Sequence, residues 1–365
     1  MNLPLQTLDA RLLARAEELL DDEWLGRDAD LAPVLPLVLA RGVGRDWHKA
    51  GTFRHHLVGV ARTLSLWQQP SDVRLLGLLH SVYGNAHVDL VKFDPARERE
   101  RLRAAVGERA EHLVYRFCTI SRPQLVRKLL AGDIAADGSI ELVAADGGAD
   151  RVPATDVAAF AVVTMADSAE QWFSWQEDIY AGFPSLTERD ASVHWAAALW
   201  PGPMRPASSM YAQVSRIGAA LRHPALAALL PAPPVFGMCQ QVLTEQNEAS
   251  AAALYWSVIT QDMPLVRPDA AIATLEQAVR CNPWVGEPQM VLAQLYLTTG
   301  RHADAARAAA SALQLMCGWG NAWDKRVQWD AWIAWTRILL QGANTAEWPS
   351  ALDKLNNVAL KMDAA

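Results

Sequence analysis

Apolar residues recur at steps of three and four through LDARLLARAEELL (8–20), which predicts an amphipathic helix. Prolines at 33 and 36 and glycines at 42 and 44 bracket a short helix that ends in a turn. The helical spacing returns over 52–68 (TFRHHLVGVARTLSLWQ), closed off by Pro70, and over 71–80. A charged-then-apolar stretch predicts one long helix over 96–118, ending at Cys118. The texture then changes in IAADGSIELVAADGGADRVP. An Asp-Gly pair at 137–138, a short alternating run and Asp-Gly-Gly at 146–148 predict a small β excursion over about 134–153. ATDVAAFAVVTMADSAEQWFSW resumes the helical pattern, with Thr155 as the expected N-cap.

A proline-rich break in LLPAPPVF places a domain boundary there, giving segments 1–235 and 236–365. Beyond it the chain is alanine-rich and repeats itself. RPDAAIATLEQAV (267–279) aligns with RHADAARAAASAL (301–313) at an offset of 34, so that Ala271 falls on Ala305 and Ala278 on Ala312. NPWVGEPQMVLAQLYLTTG supplies a turn and a helix between them. A helix-turn-helix unit of this length with small residues at the crossing resembles the tetratricopeptide repeat, with two repeats over 247–282 and 284–317. Trp329, Trp332 and Trp335 form one stripe, read as a terminal helix that caps the repeats; the alternative is an aromatic surface that grips a protein or peptide partner.

Composition narrows the classes. With 51% hydrophobic and 20% charged residues in 365, the chain can build large cores and is not a disordered polyelectrolyte. A net charge of −7 argues against nucleic acid as a partner, and the arginines between Arg97 and Arg109 alternate with acids, as on a solvated helix face. Four cysteines without a CxxC pair suit a reducing compartment. With no signal-peptide pattern and no apolar run of about 18 residues, no membrane association is expected and the location is read as cytoplasmic.

Histidine placement brings in chemistry. Six of the nine histidines fall between 48 and 112: His48, His55, His56, His80, His87 and His112. His56 sits among Leu57, Val60 and Leu64 on an apolar face, and His80 ends LLGLLH. Asp167 follows a largely apolar run in AFAVVTMADSAEQW, where a lone carboxylate would need a partner or a metal. Two imidazoles and a carboxylate suit iron, zinc or manganese; the alternative is a metal-free hydrogen-bonded network. His55, about 100° around the helix from His56, is expected at the surface or in an outer layer.

The order His56, then His80, then a late Asp167 on a helical domain resembles the HD-domain superfamily, which includes metal-dependent phosphohydrolases and a branch of di-iron oxygenases. HKAGTFRHHLVGV, LLGLLHSVYGN and RAEHLVYRFC are similar to an uncharacterised HD-like family with a His-Ser-x-Tyr-Gly signature, over about residues 40–180. The resemblance implies a mostly α fold: an HD-like helical domain with a β-hairpin insertion, followed by the tetratricopeptide-like domain. It also implies His56, His80 and Asp167 as metal ligands. Ser81 stands where the superfamily has aspartate, and a hydroxyl is a poor ligand, so a mononuclear site is expected in place of a dinuclear one. Iron is favoured over zinc or manganese, and oxidative chemistry over phosphoester hydrolysis. His48, Tyr83, His87 and His112 are the candidate acid–base or ligand-contacting groups. Cys118, ending an apolar helix, is read as an inert thiol. The expected function is a metal-dependent enzyme acting on a small-molecule substrate. The competing reading is a non-catalytic scaffold whose repeats bind a protein.

Overall fold

The structure, a computed structural model, describes residues 3, 5–48, 51–84, 90–144, 146–171, 210–260 and 267–349, which are mostly helical. The Asp9 carboxylate accepts from Arg11 N–H (2.8 Å) to start α1 (Ala10–Leu20). Two short helices follow, α2 (Trp24–Arg27) and α3 (Leu35–Leu39). A two-residue antiparallel pairing of β1 (Trp47–His48) with β2 (Gly51–Thr52) then leads into α4 (Phe53–Leu66). Thr52 caps α4: its hydroxyl accepts from His55 N–H (3.4 Å), while His55 Nδ1 accepts from Thr52 N–H (3.3 Å). This reciprocal cap occupies His55 at the surface and turns His56 into the core.

α5 (Ser71–Leu79) crosses α4 closely because residue 77 has no side chain. A Cβ on Gly77 would lie 2.2 Å from Leu64 Cδ1. Gly77→Ala is therefore expected to destabilise the chain by about 1–3 kcal/mol through overpacking, outweighing the roughly 1 kcal/mol that alanine gains in helix propensity. Urea titration measures it; an unchanged or raised midpoint would mean the crossing has slack.

Where the sequence predicts one helix over 96–118, the structure has two, α6 (Arg99–Val106) and α7 (Glu108–Thr119). Gly107 between them adopts φ +87°, a conformation open to glycine that ends one helix and starts another. α8 (Arg122–Ala131) ends at a left-handed Gly132. The predicted hairpin follows as β3 (Ile140–Val143) and β4 (Ala149–Val152), in register Ile140 to Val152, with Ile140, Leu142 and Val152 buried. α9 (Ala154–Gln171) is buried nearly all round and packs against α4, α5, α7 and α10 (Met210–Ala220). It begins at Ala154, so Thr155 lies inside the first turn and is not its cap.

After α11 (Val235–Met238), helices α12 (Glu245–Thr260), α13 (Pro268–Cys281), α14 (Glu287–Thr298), α15 (His302–Trp319) and α16 (Trp329–Thr345) each pack against the next. Ala271, Ala278, Ala305 and Ala312 are buried where these helices meet. Trp329 and Trp332 are buried too, donating their indole N–H groups to Met316 O and Asp324 O (both 2.9 Å). The hydrophobic core is continuous between the two parts of the chain. Trp67 Nε1 donates to Gly318 O (2.8 Å), and Asn321 Nδ2 donates to Thr63 Oγ1 (2.6 Å). No helix among the described residues is long and apolar enough to cross a membrane.

Candidate metal centre

Three elements deliver the predicted trio to one point. α4 carries His56 in its first turn, His80 closes the C-terminus of α5, and α9 presents Asp167 from its last turn. The Nε2 atoms of His56 and His80 are 3.1 Å apart, and Asp167 Oδ1 lies 3.3 Å from the first and 3.7 Å from the second. The residues are 3%, 1% and 5% exposed. This group could hold a metal ion, its ligand atoms all lying within 4.8 Å of one another.

The outward nitrogens decide what the inward ones offer. His80 Nδ1 is 2.7 Å from Gly77 O, and a carbonyl only accepts, so Nδ1 carries the hydrogen and Nε2 of the neutral ring is a bare lone pair. His56 Nδ1 donates to the Glu170 carboxylate. Burial opposes ionisation of Glu170, but the hydrogen bond and charge of His56 together with the charge of Lys325 hold the acid below its usual range. Nε2 of a neutral His56 is therefore bare as well. Gln171 donates its amide N–H to Asp167 Oδ1 and reaches within 3.5 Å of His56 Nε2. His80 Nε2, by contrast, faces two acceptors.

A proton does not resolve this from the His80 side. Burial pushes that imidazole down to about 4, more than the neighbouring Asp167 can offset. Asp167 moves the other way. Burial opposes its ionisation, but His80, Arg122 and His56 together hold it well below the normal carboxylate range. Arg122 Nη2 donates to Asp167 Oδ2 (2.5 Å), and its guanidinium lies 4.4 Å over the Phe117 ring. Oδ2 is thus engaged, and Oδ1 is the oxygen turned to the imidazoles.

Glycine again permits the layout. A Cβ on Gly59 would sit 3.0 Å from Glu170 Cγ, so the bare backbone of α4 lets that acid lie across it and reach His56. The β1–β2 bracket stacks His48 on His56, with centroids 4.4 Å apart and planes at 14°.

The other sequence candidates lie apart from the trio. Tyr83 donates to Glu111 Oε1 (3.0 Å), and Arg99 clamps the same carboxylate at 2.8 and 3.0 Å. Burial and Glu111 push the Tyr83 phenol up. His112 Nε2 donates to Asp156 Oδ2 (3.1 Å), and Arg109 Nη1 pairs with Oδ1 of the same carboxylate (2.7 Å). His87 lies outside the described residues. Ser81 is buried beside His80. Cys118 donates to His80 O (3.3 Å), and burial pushes its thiol up to about 12, which suits the inert role.

Sequence reasoning missed Glu170, Arg122 and Gln171. Glu170 left a faint signal, standing one helical turn after Asp167 and so on the same face.

Residues 37–122 match a family described as "Domain of unknown function (DUF6817)". That stretch contains His48, His56, His80, Ser81, Tyr83 and His112 but not Asp167. No curated protein and no solved structure matches the chain.

Proposed function

We propose that the chain is an HD-like metalloenzyme with one transition-metal ion, iron before zinc or manganese, bound by His56 Nε2, His80 Nε2 and Asp167 Oδ1, acting on a small molecule. The observation that carries this reading is the convergence of three buried electron-pair donors whose imidazoles both commit their Nδ1 hydrogens to outside acceptors. That is the arrangement of a metal-binding histidine, its far nitrogen held by a carboxylate or a carbonyl.

Ser81 next to His80 supplies no charge for a second ion, which favours a single metal and, with it, oxidative chemistry over hydrolysis. When bound, iron on two histidines and one carboxylate supplies open positions for oxygen or substrate. The chain's own groups orient this site. Arg122 fixes the Asp167 plane, Glu170 and Gly77 O set the imidazole tautomers, and His48 flanks His56 as the acid–base candidate nearest the trio. A site this deeply buried suits a small molecule better than a polymer. The repeat half, with helices in series at a 34-residue offset, is read as the docking region for a protein or peptide partner.

Protein purified without chelators is expected to carry about one transition-metal ion per chain by elemental analysis, and His80→Ala to carry none. If the unmodified chain, reconstituted with iron(II), zinc or manganese, retains no ion after desalting, the enzyme reading gives way to the scaffold.

A further inference from the structure

Between α9, α10 and α11 lies a cavity of about 340 Å³ that none of His56, His80 and Asp167 lines. Ala158 and Val162 of α9 give it a buried wall, and it opens where Arg222, Ala227 and Gln240 are exposed. Its shape is fixed from two sides. A Cβ on Gly218 would lie 1.7 Å from Phe236 Cζ, so the bare backbone of α10 lets that ring bound the space. Gln69 Nε2 donates to Pro231 O (2.8 Å), tying the proline-rich wall to the turn after α4. The lining is apolar but for the Gln240 amide and one charge, Arg222, just past the end of α10. Among the described residues the Arg222 guanidinium has no hydrogen-bond or ion-pair partner.

We propose that this cavity binds an unbranched aliphatic carboxylate of about eight carbons, its chain among the apolar walls and its carboxylate on Arg222. Three properties of the cavity select that ligand. Volume sets the length: at roughly 30 Å³ for each water-sized group the space takes about eleven, and octanoate has ten non-hydrogen atoms. Apolar walls set the chain, because a cavity so lined holds water poorly and each methylene it takes up leaves water behind. The unpaired guanidinium sets the charge, since its parallel N–H groups match the two oxygens of a carboxylate. An apolar pocket with a few polar groups that orient the ligand is the common form of a small-molecule site. This site stands apart from the metal reading and needs no ion.

The test is calorimetric titration of the full chain with octanoate, before and after chelator treatment. One octanoate should bind per chain, with the same affinity in both preparations. Butyrate, four methylenes shorter, should bind roughly two-hundredfold more weakly, about fourfold for each methylene. 1-Octanol keeps the chain and loses the charge, so it should bind roughly fivefold more weakly than octanoate, the upper range for a partly solvated ion pair. Arg222→Gln should erase that difference by weakening octanoate alone. Gly237→Leu and Ala227→Trp fill the space from its lining; a Cβ on Gly237 meets nothing within 4 Å, and Ala227 is exposed. Each should abolish octanoate binding and leave the urea midpoint near that of the unmodified chain. The inference is overturned if the unmodified chain binds no octanoate, if both filling variants bind it undiminished, or if octanol binds as tightly. Octanoate binding that disappears on chelator treatment would place the carboxylate on a metal ion and overturn it too.

Discussion

Asp167→Ala is expected to abolish metal binding and to lower the stability of the chelator-treated chain by about 3–5 kcal/mol, the usual cost of removing one partner from a buried charged pair. The stability loss has an identifiable source. Arg122, which is 12% exposed at its side chain, would keep its charge without the Oδ2 acceptor, and Gln171 would lose Oδ1. Asp167→Asn separates the two effects. It keeps the volume and one carbonyl for Arg122 but loses the negative charge, so metal binding should still disappear while less stability is lost. Calorimetric titration with zinc and urea unfolding in chelator read both quantities. Retained affinity in Asp167→Ala would remove the carboxylate from the site, and unchanged stability would mean Arg122 finds another acceptor.

The trio was legible because each member breaks an apolar face. His56 and His80 sit where the helical period calls for leucine, and Asp167 follows a run with no other charge. The residues that support it carry no such mark. Glu170 and Gln171 lie at a helix end where polar residues are ordinary. Arg122 stands in an unpatterned ISRP stretch. Proximity of this kind is set by how helices cross, which local spacing does not encode. Tyr83 shows the converse. Its position next to the His-Ser pair invites a place in the site, yet its hydroxyl bonds Glu111 on α7.

The helices themselves were largely readable, and so was the β3–β4 hairpin, because Asp-Gly turns name their geometry. Two features were not. The apolar period runs on through RAAVGERAEH, so only the backbone angle at Gly107 reveals the break. The β1–β2 bracket is two residues a side, too short for alternation to register, and it leaves Trp47 54% exposed. Gly59 and Gly77 read as weak points, each costing roughly 1 kcal/mol of helix propensity. The structure gives their purpose: one admits Glu170 and the other admits Leu64.

Two buried groups make opposite demands on pH, and their balance is a second large expected effect. His80 titrates near 6.5 unfolded and is pushed down to about 4 by burial in the folded chain. Between those values the unfolded chain takes up a proton that the folded chain refuses, so stability falls as pH drops, by about 3 kcal/mol in all. Glu287 titrates near 4.5 unfolded and is pushed up to about 7 by burial, despite the Trp323 and Asp324 amides that bond it. Over that window the folded chain holds a proton the unfolded chain has lost, so stability rises as pH drops, by a similar amount. The contributions oppose each other where the windows overlap, and the chelator-treated protein should show nearly constant stability from pH 6.5 to 4.5. Glu287→Gln keeps a carbonyl for the two amides and removes the titration. It should expose the histidine slope, losing about 3 kcal/mol between pH 7 and pH 4. Urea midpoints across that range measure it. A flat profile in Glu287→Gln would mean His80 is not the buried neutral base that a lone pair facing two acceptors requires.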